Sequence, residues 1–111
     1  MEFDKTRLNL ICYRVNDPTI RMKFVSIMIT EYDTAMDKIS SYIQENRLND
    51  ARMVCHKLIG EFKNMGVEFN PQIKAKDMNM SDVISFLDLI TQRRSAIANE
   101  LIECVTHHNV S

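Results

Sequence analysis

The sequence predicts an all-α protein that folds as an antiparallel helical bundle. Two glycines and two prolines among 111 residues leave few positions that break helices, and eight methionines also favour helix. Apolar residues recur every three or four positions over three long stretches, as on the buried face of a helix. A chain of this length forms one domain with a single core, so residues 1–111 are expected to fold together.

A short leading helix is predicted over residues 3–14, with its end at Asn16. Its apolar positions are Phe3, Leu8, Ile11, Cys12 and Val15. A long helix over 17–46 follows, since Asp17 is a good N-cap residue and Pro18 suits the first helical position. The apolar stripe of this helix runs from Ile20 to Ile43.

Asn46 is the predicted cap of the next helix, 48–65, and Gly66 its stop signal. Residues 67–80 are predicted to be a connector with one or two short helical turns at most. Ser81 and Asp82 then cap a last helix over 81–106. Each long helix has one apolar stripe to bury, which predicts antiparallel packing into a bundle.

Charge and composition exclude several function classes. The formal net charge of −1 creates no field that would attract nucleic acid or an anionic membrane surface. No apolar run approaches the ~20 residues that cross a bilayer, and the first residues, Met-Glu-Phe-Asp-Lys, do not resemble a signal peptide. We therefore expect a cytoplasmic protein, or a cytoplasmic part of a larger one, without membrane insertion.

Cysteines and histidines give no metal-site pattern. Cys12, Cys55 and Cys104 are far apart and form no Cys-x-x-Cys pair, so we expect reduced, buried thiols. His107 and His108 are adjacent and point ~100° apart on a helix, which predicts a solvated helix end.

His56 is the candidate reactive residue. Turning ~100° per residue from the apolar stripe of helix 48–65 places His56 ~140° and Gly60 ~180° from the core direction. Asn49, Arg52 and Lys63 fall on the same outer side, with Met53 exposed and Ile59 at the boundary. A histidine on a wet helix face is usually an ordinary polar residue. Gly60 favours a functional interpretation, because glycine inside a helix costs roughly 0.5–1 kcal/mol relative to alanine.

The segment around His56 resembles the histidine-containing phosphotransfer (HPt) domain. That family has the pattern His-x-Leu-Lys-Gly with a second glycine after five further residues, and five positions of this chain match it: His56, Leu58, Gly60, Asn64 and Gly66. Asn16-Asp17-Pro18 before a long helix is also similar to the family. The resemblance covers roughly residues 5–66, and beyond them only the last bundle helix.

The resemblance implies a phosphocarrier rather than an enzyme. His56 would carry a phosphoryl group between receiver-domain aspartates of a phosphorelay fed by a hybrid sensor histidine kinase, with magnesium on the receiver and no cofactor on this chain, which would act as a monomer. Gly60 would give the partner access, and Arg52 and Lys63 would stabilise the phosphoryl group, although ordinary solvated charges explain both cations equally well. The docking residues would be Asn49, Met53, Ile59, Leu8 and Ile11.

Two departures from the family pattern leave an alternative open. Ile59 stands where the family has lysine, and Lys63 is the candidate substitute for that charge. The 67–80 connector is too short for the helix that the family has there, so one helix of a four-helix HPt-like bundle would be shortened or replaced. Both departures are compatible with an adaptor or inhibitor that binds receivers or kinases without carrying phosphate. A metal or redox role has no supporting ligand spacing.

Overall fold

A computed structural model describes residues 2–4 and 17–108. Its elements are β1 (Glu2–Phe3), α1 (Pro18–Gln44), α2 (Leu48–Asn64), β2 (Val67–Glu68), a 3-10 turn (Ala75–Asp77) and α3 (Met80–His108). The three helices pack around one apolar core, which confirms the predicted all-α class. Among the described residues, no helix combines the length and apolar character needed to span a bilayer.

The start of α1 is as predicted from the sequence, whereas the residue just after its end has a different role from the predicted one. The Asp17 carboxylate accepts a hydrogen bond from the Thr19 backbone N–H at 2.8 Å, and Pro18 occupies the first helical position. The prediction that Asn46 caps α2 is wrong. Asn46 has a φ of 57° and lies just beyond the C-terminus of α1. Asparagine tolerates this left-handed conformation, so its role is to stop α1.

The ends of the later helices depend on two further local signals. Gly66, with a φ of 92°, follows Met65, the C-cap residue of α2, and confirms the predicted stop. The prediction that Ser81 caps α3 is wrong. The Asn79 side chain accepts from the Asp82 backbone N–H at 2.8 Å, and the Asp82 carboxylate accepts from the Asn79 N–H at 2.9 Å. This reciprocal capping box starts α3 earlier than predicted.

The helices are antiparallel in two of their three pairings. α1 faces α2 across a groove lined by side chains of both helices, among them Glu31 and Lys38 of α1 and Val54 and Glu61 of α2. The short 45–47 turn makes the two helices antiparallel. α3 is also antiparallel to α1. Arg94 forms an ion pair with Asp33, and three residues earlier on α3 the Thr91 hydroxyl donates to the Met36 sulfur, three residues later on α1. α2 and α3 consequently run parallel, and the connector returns the chain along α2 between them. The expectation of antiparallel packing throughout is wrong for that pair.

The connector between α2 and α3 contributes to the core. Phe69 lies between aromatic rings of all three helices, with centroid distances of 6.2 Å to Tyr32, 5.9 Å to Phe62 and 5.9 Å to Phe86. The connector also buries three further apolar side chains: Val67, Ala75 and Met78. The segment therefore forms part of the core that the three described helices share.

A two-residue strand pair joins the N-terminus to the connector. Phe3 pairs with Val67 in an antiparallel register, and the Asp4 N–H donates to the Gly66 carbonyl. The prediction that a helix begins at Phe3 is therefore wrong, because this backbone is extended and hydrogen-bonded to β2. The remainder of that predicted helix, including Leu8 and Ile11, lies outside the described residues.

Candidate functional site

α2 presents His56 to solvent because its opposite face is fixed in the core. Ala51, Cys55, Leu58 and Phe62 are all at most 2% exposed. Their spacing of four, three and four residues follows one side of the helix. His56 lies on the other side and is exposed, as predicted. The imidazole is thus carried by a helix that the core holds rigidly on its far face.

Gly60 lies one turn after His56 and is also exposed. Among the described residues, a Cβ added at Gly60 would meet no atom within 4 Å beyond its own chain neighbours and helix backbone. Packing therefore does not require glycine here, and a helix interior disfavours it. The missing side chain leaves an open surface on the C-terminal side of the imidazole.

Arg52, one turn before His56, is half-buried and already engaged. Its Nε donates to the Met78 carbonyl oxygen at 2.6 Å, and its Nη1 donates to the Asn49 side-chain oxygen at 3.0 Å. Asn49 precedes Arg52 by one turn, on the side away from His56. The predicted role of Arg52 toward a phosphoryl group on His56 therefore requires its guanidinium to turn from these partners.

Lys63 and Ile59 occupy different environments on α2. Lys63 is exposed two turns after His56, about 10 Å along the helix axis. Side chains on a helix generally lean toward its N-terminus, and Gly60 and His56 lie on that side of Lys63. Ile59 is half-buried and packs against the core, which limits the apolar surface that it offers to a partner.

Met53 is the main apolar residue on this surface. It is 70% exposed and lies three residues before His56. Asn49, also predicted to dock, is exposed but bonded to Arg52. Leu8 and Ile11 lie outside the described residues. Of the predicted docking residues that the structure describes, Met53 and Ile59 lie within one turn of the histidine and Asn49 lies two turns before it.

The thiol next to His56 takes no part in this surface. Cys55 is 0% exposed, and burial raises the pKa of its thiol to about 12. A thiol is a nucleophile only as the thiolate, which is scarce at neutral pH with that pKa. Within residues 17–108, no three side chains among His, Cys, Asp and Glu come together in a way that would hold a metal ion.

The link between Arg52 and the connector was not predictable from the sequence. Met78 is 2% exposed, and its carbonyl at the end of the 3-10 turn anchors a guanidinium from α2. A pattern of residue types does not show which backbone carbonyls accept hydrogen bonds. The periodicity of α2 therefore placed Arg52 on the outer face but could not predict its partner.

The candidate site on α2 consists of His56, Gly60, Met53, Arg52 and Lys63.

Comparisons of this chain with protein-family models, with curated protein sequences and with solved structures gave no match.

Proposed function

We propose that this protein is a histidine phosphotransfer protein of a two-component phosphorelay, with His56 as the phosphorylated residue. The observation that supports it most is the exposed imidazole on a rigid helix beside the open surface at Gly60. A receiver domain presents its aspartyl phosphate from a broad surface, so the acceptor ring must be accessible without obstruction from its own helix. Gly60 meets that requirement at a cost in helix stability.

The transfer step uses the lone pair of a neutral imidazole nitrogen. This nitrogen attacks phosphorus, the bond from phosphorus to the aspartyl oxygen breaks, and the carboxylate leaves with the electron pair. The positive charge on the ring is removed when its other N–H gives a proton to water. Histidine suits this step because a ring nitrogen of the neutral imidazole has a free lone pair and the phosphorylated ring is a good leaving group for the return transfer.

The protein needs to supply little catalysis of its own. Phosphoryl transfer depends chiefly on alignment and charge neutralisation, and the receiver is expected to bring the aspartate and its magnesium ion. A carrier of this kind is not an enzyme, and it acts in the cytoplasm between a hybrid sensor kinase and receivers. Met53, at 70% exposure, supplies apolar contact area beside the ring.

The arrangement of the helices is compatible with a reduced HPt bundle. α1 runs one way and α2 and α3 the other, so a four-helix up-and-down bundle would place its missing helix between α2 and α3. The connector occupies that part of the chain and fills the position with Phe69 and Met78. We propose that it replaces the fourth helix of the family.

The charge that the family places at residue 59 would come from elsewhere. Ile59 packs partly against the core, whereas Lys63 and Arg52 flank His56 on its own helix. At an exposed position, one such cation beside a phosphoryl group contributes only about 1 kcal/mol. Its loss would slow the transfer without abolishing it.

The experiment is incubation with a phosphorylated receiver, followed by a test for acid-labile, base-stable label on this protein. The chain has three histidines, which offers a matched control. His56→Gln should accept no label, whereas His107→Gln combined with His108→Gln should accept it normally. Label that survives in His56→Gln, or its absence from the wild type with several receivers, would refute the carrier function.

An adaptor or inhibitor that binds receivers or kinases is the second candidate, favoured by the isoleucine at position 59. It predicts that wild type and His56→Gln bind a receiver equally well and that neither acquires label. Binding measured by calorimetry alongside the labelling assay separates the two functions.

A further inference from the structure

We infer that Arg52 is a switch residue that holds the end of the connector in the unmodified protein and releases it when His56 is phosphorylated. The inference rests on the proposed phosphorylation of His56 and adds a conformational consequence to it. Its physical basis is a competition for one guanidinium between the Met78 carbonyl and an anion one turn away on α2.

In the unmodified protein, Arg52 joins two segments that are distant in sequence. Its Nε donates at 2.6 Å to the carbonyl of Met78, 26 residues further along the chain. Met78 is 2% exposed and forms the C-terminal end of the 3-10 turn, immediately before the Asn79 cap of α3. The bond therefore fastens the junction between connector and α3 to the helix that carries His56.

A phosphoryl group on His56 would be a stronger partner for the guanidinium than these neutral groups. It adds close to two negative charges at a position four residues from Arg52, where side chains on one helix face meet. Arginine binds phosphate best through two parallel N–H bonds. A guanidinium can form such a pair through its Nε and one Nη, or through its two Nη atoms. In the unmodified protein Nε donates to Met78 and Nη1 donates to Asn49, so each pair includes a nitrogen that is already bonded.

Release of Met78 would loosen a defined set of hydrogen bonds that backbone N–H groups donate. The Asp77 N–H donates to the Lys74 carbonyl at 2.8 Å, and the Met78 N–H donates to the Ala75 carbonyl at 3.2 Å. The Asn79 N–H donates to the Asp82 carboxylate at 2.9 Å. A partner could thus distinguish the two states of His56 by the connector as well as by the phosphoryl group.

The test is amide hydrogen exchange of Asp77, Met78 and Asn79, resolved by NMR, on the full chain before and after phosphorylation. Phosphoramidate is the donor: its P–N bond breaks as the ring nitrogen attacks, and ammonia leaves with the electron pair. We expect exchange of these amides to become about fivefold faster in the phosphorylated wild type. Arg52→Gln should exchange equally fast before modification and change no further after it.

Lys57→Gln is the matched control, because Lys57 neighbours His56 but its ammonium lies 3.8 Å from the Glu61 carboxylate instead of at the connector. This variant should respond to phosphorylation as the wild type does. Unchanged exchange in the phosphorylated wild type overturns the inference, as does an equal increase on phosphorylation in Arg52→Gln. Failure of phosphoramidate to modify His56 overturns it too. If phosphoramidate modifies His56 but phosphorylated receivers do not, the proposed function fails while the exchange result still decides the role of Arg52.

Discussion

Gly60→Ala should stabilise the protein, and the same substitution at the other glycine should destabilise it. Gly60 lies inside α2, and an added Cβ would meet nothing within 4 Å among the described residues. The gain should therefore be the intrinsic helix preference of alanine, about 0.5–1 kcal/mol, which corresponds to roughly 2–4 °C in the unfolding temperature. Gly66 has a φ of 92°, where a side chain is strained, so Gly66→Ala should cost about 1–2 kcal/mol.

Thermal and urea unfolding followed by circular dichroism measure both free energies. A bulkier variant, Gly60→Gln, should keep most of the added stability, since glutamine is also a good helix former. In the phosphorylated-receiver assay, however, its side chain should obstruct approach to His56 and lower the transfer rate at least tenfold.

Two results would refute this reasoning about Gly60. If Gly60→Ala destabilises the fold, then glycine is required there for packing and its place beside His56 has no functional meaning. If Gly60→Gln transfers at the wild-type rate, the partner does not approach over residue 60.

Three further predictions concern the core and the helix pairings. Phe69→Ala removes a buried ring in contact with Tyr32, Phe62 and Phe86, so it should destabilise the fold by about 3–5 kcal/mol in urea unfolding. A loss below about 1 kcal/mol would mean that the connector is not part of the core. The bidentate bond from Arg94 lowers the pKa of the Asp33 carboxyl, so this pair stabilises the fold fully above about pH 4 and progressively less as pH falls further. Both side chains are more than a third exposed, so Asp33→Asn should cost less than 1 kcal/mol at pH 7, and this cost should shrink as the pH falls below about 4. A cost that does not decrease with falling pH would contradict the ion-pair explanation. Cys55 should react with a thiol reagent at pH 8 only as fast as the protein opens, and modification at the rate of a free thiol in the folded state would show that its burial is wrong.

The long helices were predictable because each signal was local or periodic. The Asp17-Pro18 start of α1 and the Gly66 stop of α2 follow from the conformations that these residues favour, and both are confirmed. The outward direction of His56 followed from the apolar period of α2 alone.

The errors arose where one residue type serves two purposes. Asparagine suits both an N-cap and the left-handed position after a helix, and the sequence cannot tell which end of a turn Asn46 serves. Asn79 and Asp82 cap α3 together, yet Ser81 is an equally good cap by type. In each case the actual hydrogen bond decides between residues of similar preference.

Contacts over long sequence distances were not predictable from local patterns. Phe69 follows Val67 at the spacing of a strand, but a connector rich in polar residues gave no reason to place it among rings of three helices. The strand pairing of Phe3 with Val67 likewise needs an edge that only the folded connector provides. The bond from Arg52 to Met78 belongs to this class, since its acceptor is a backbone carbonyl.

The structure separates the residues that stabilise α2 from those that would act on a phosphoryl group. Leu58 and Phe62 hold the helix from one side. On the other side His56 is exposed, and a Cβ at Gly60 would meet nothing within 4 Å among the described residues. Substitutions on the exposed face should therefore alter transfer without unfolding the bundle, so a loss of label in His56→Gln is interpretable as chemistry. Arg52 is the exception, because its bond to Met78 belongs to the fold and its charge to the site. A change in stability and a change in transfer should coincide at this residue, whereas they should be separable at His56.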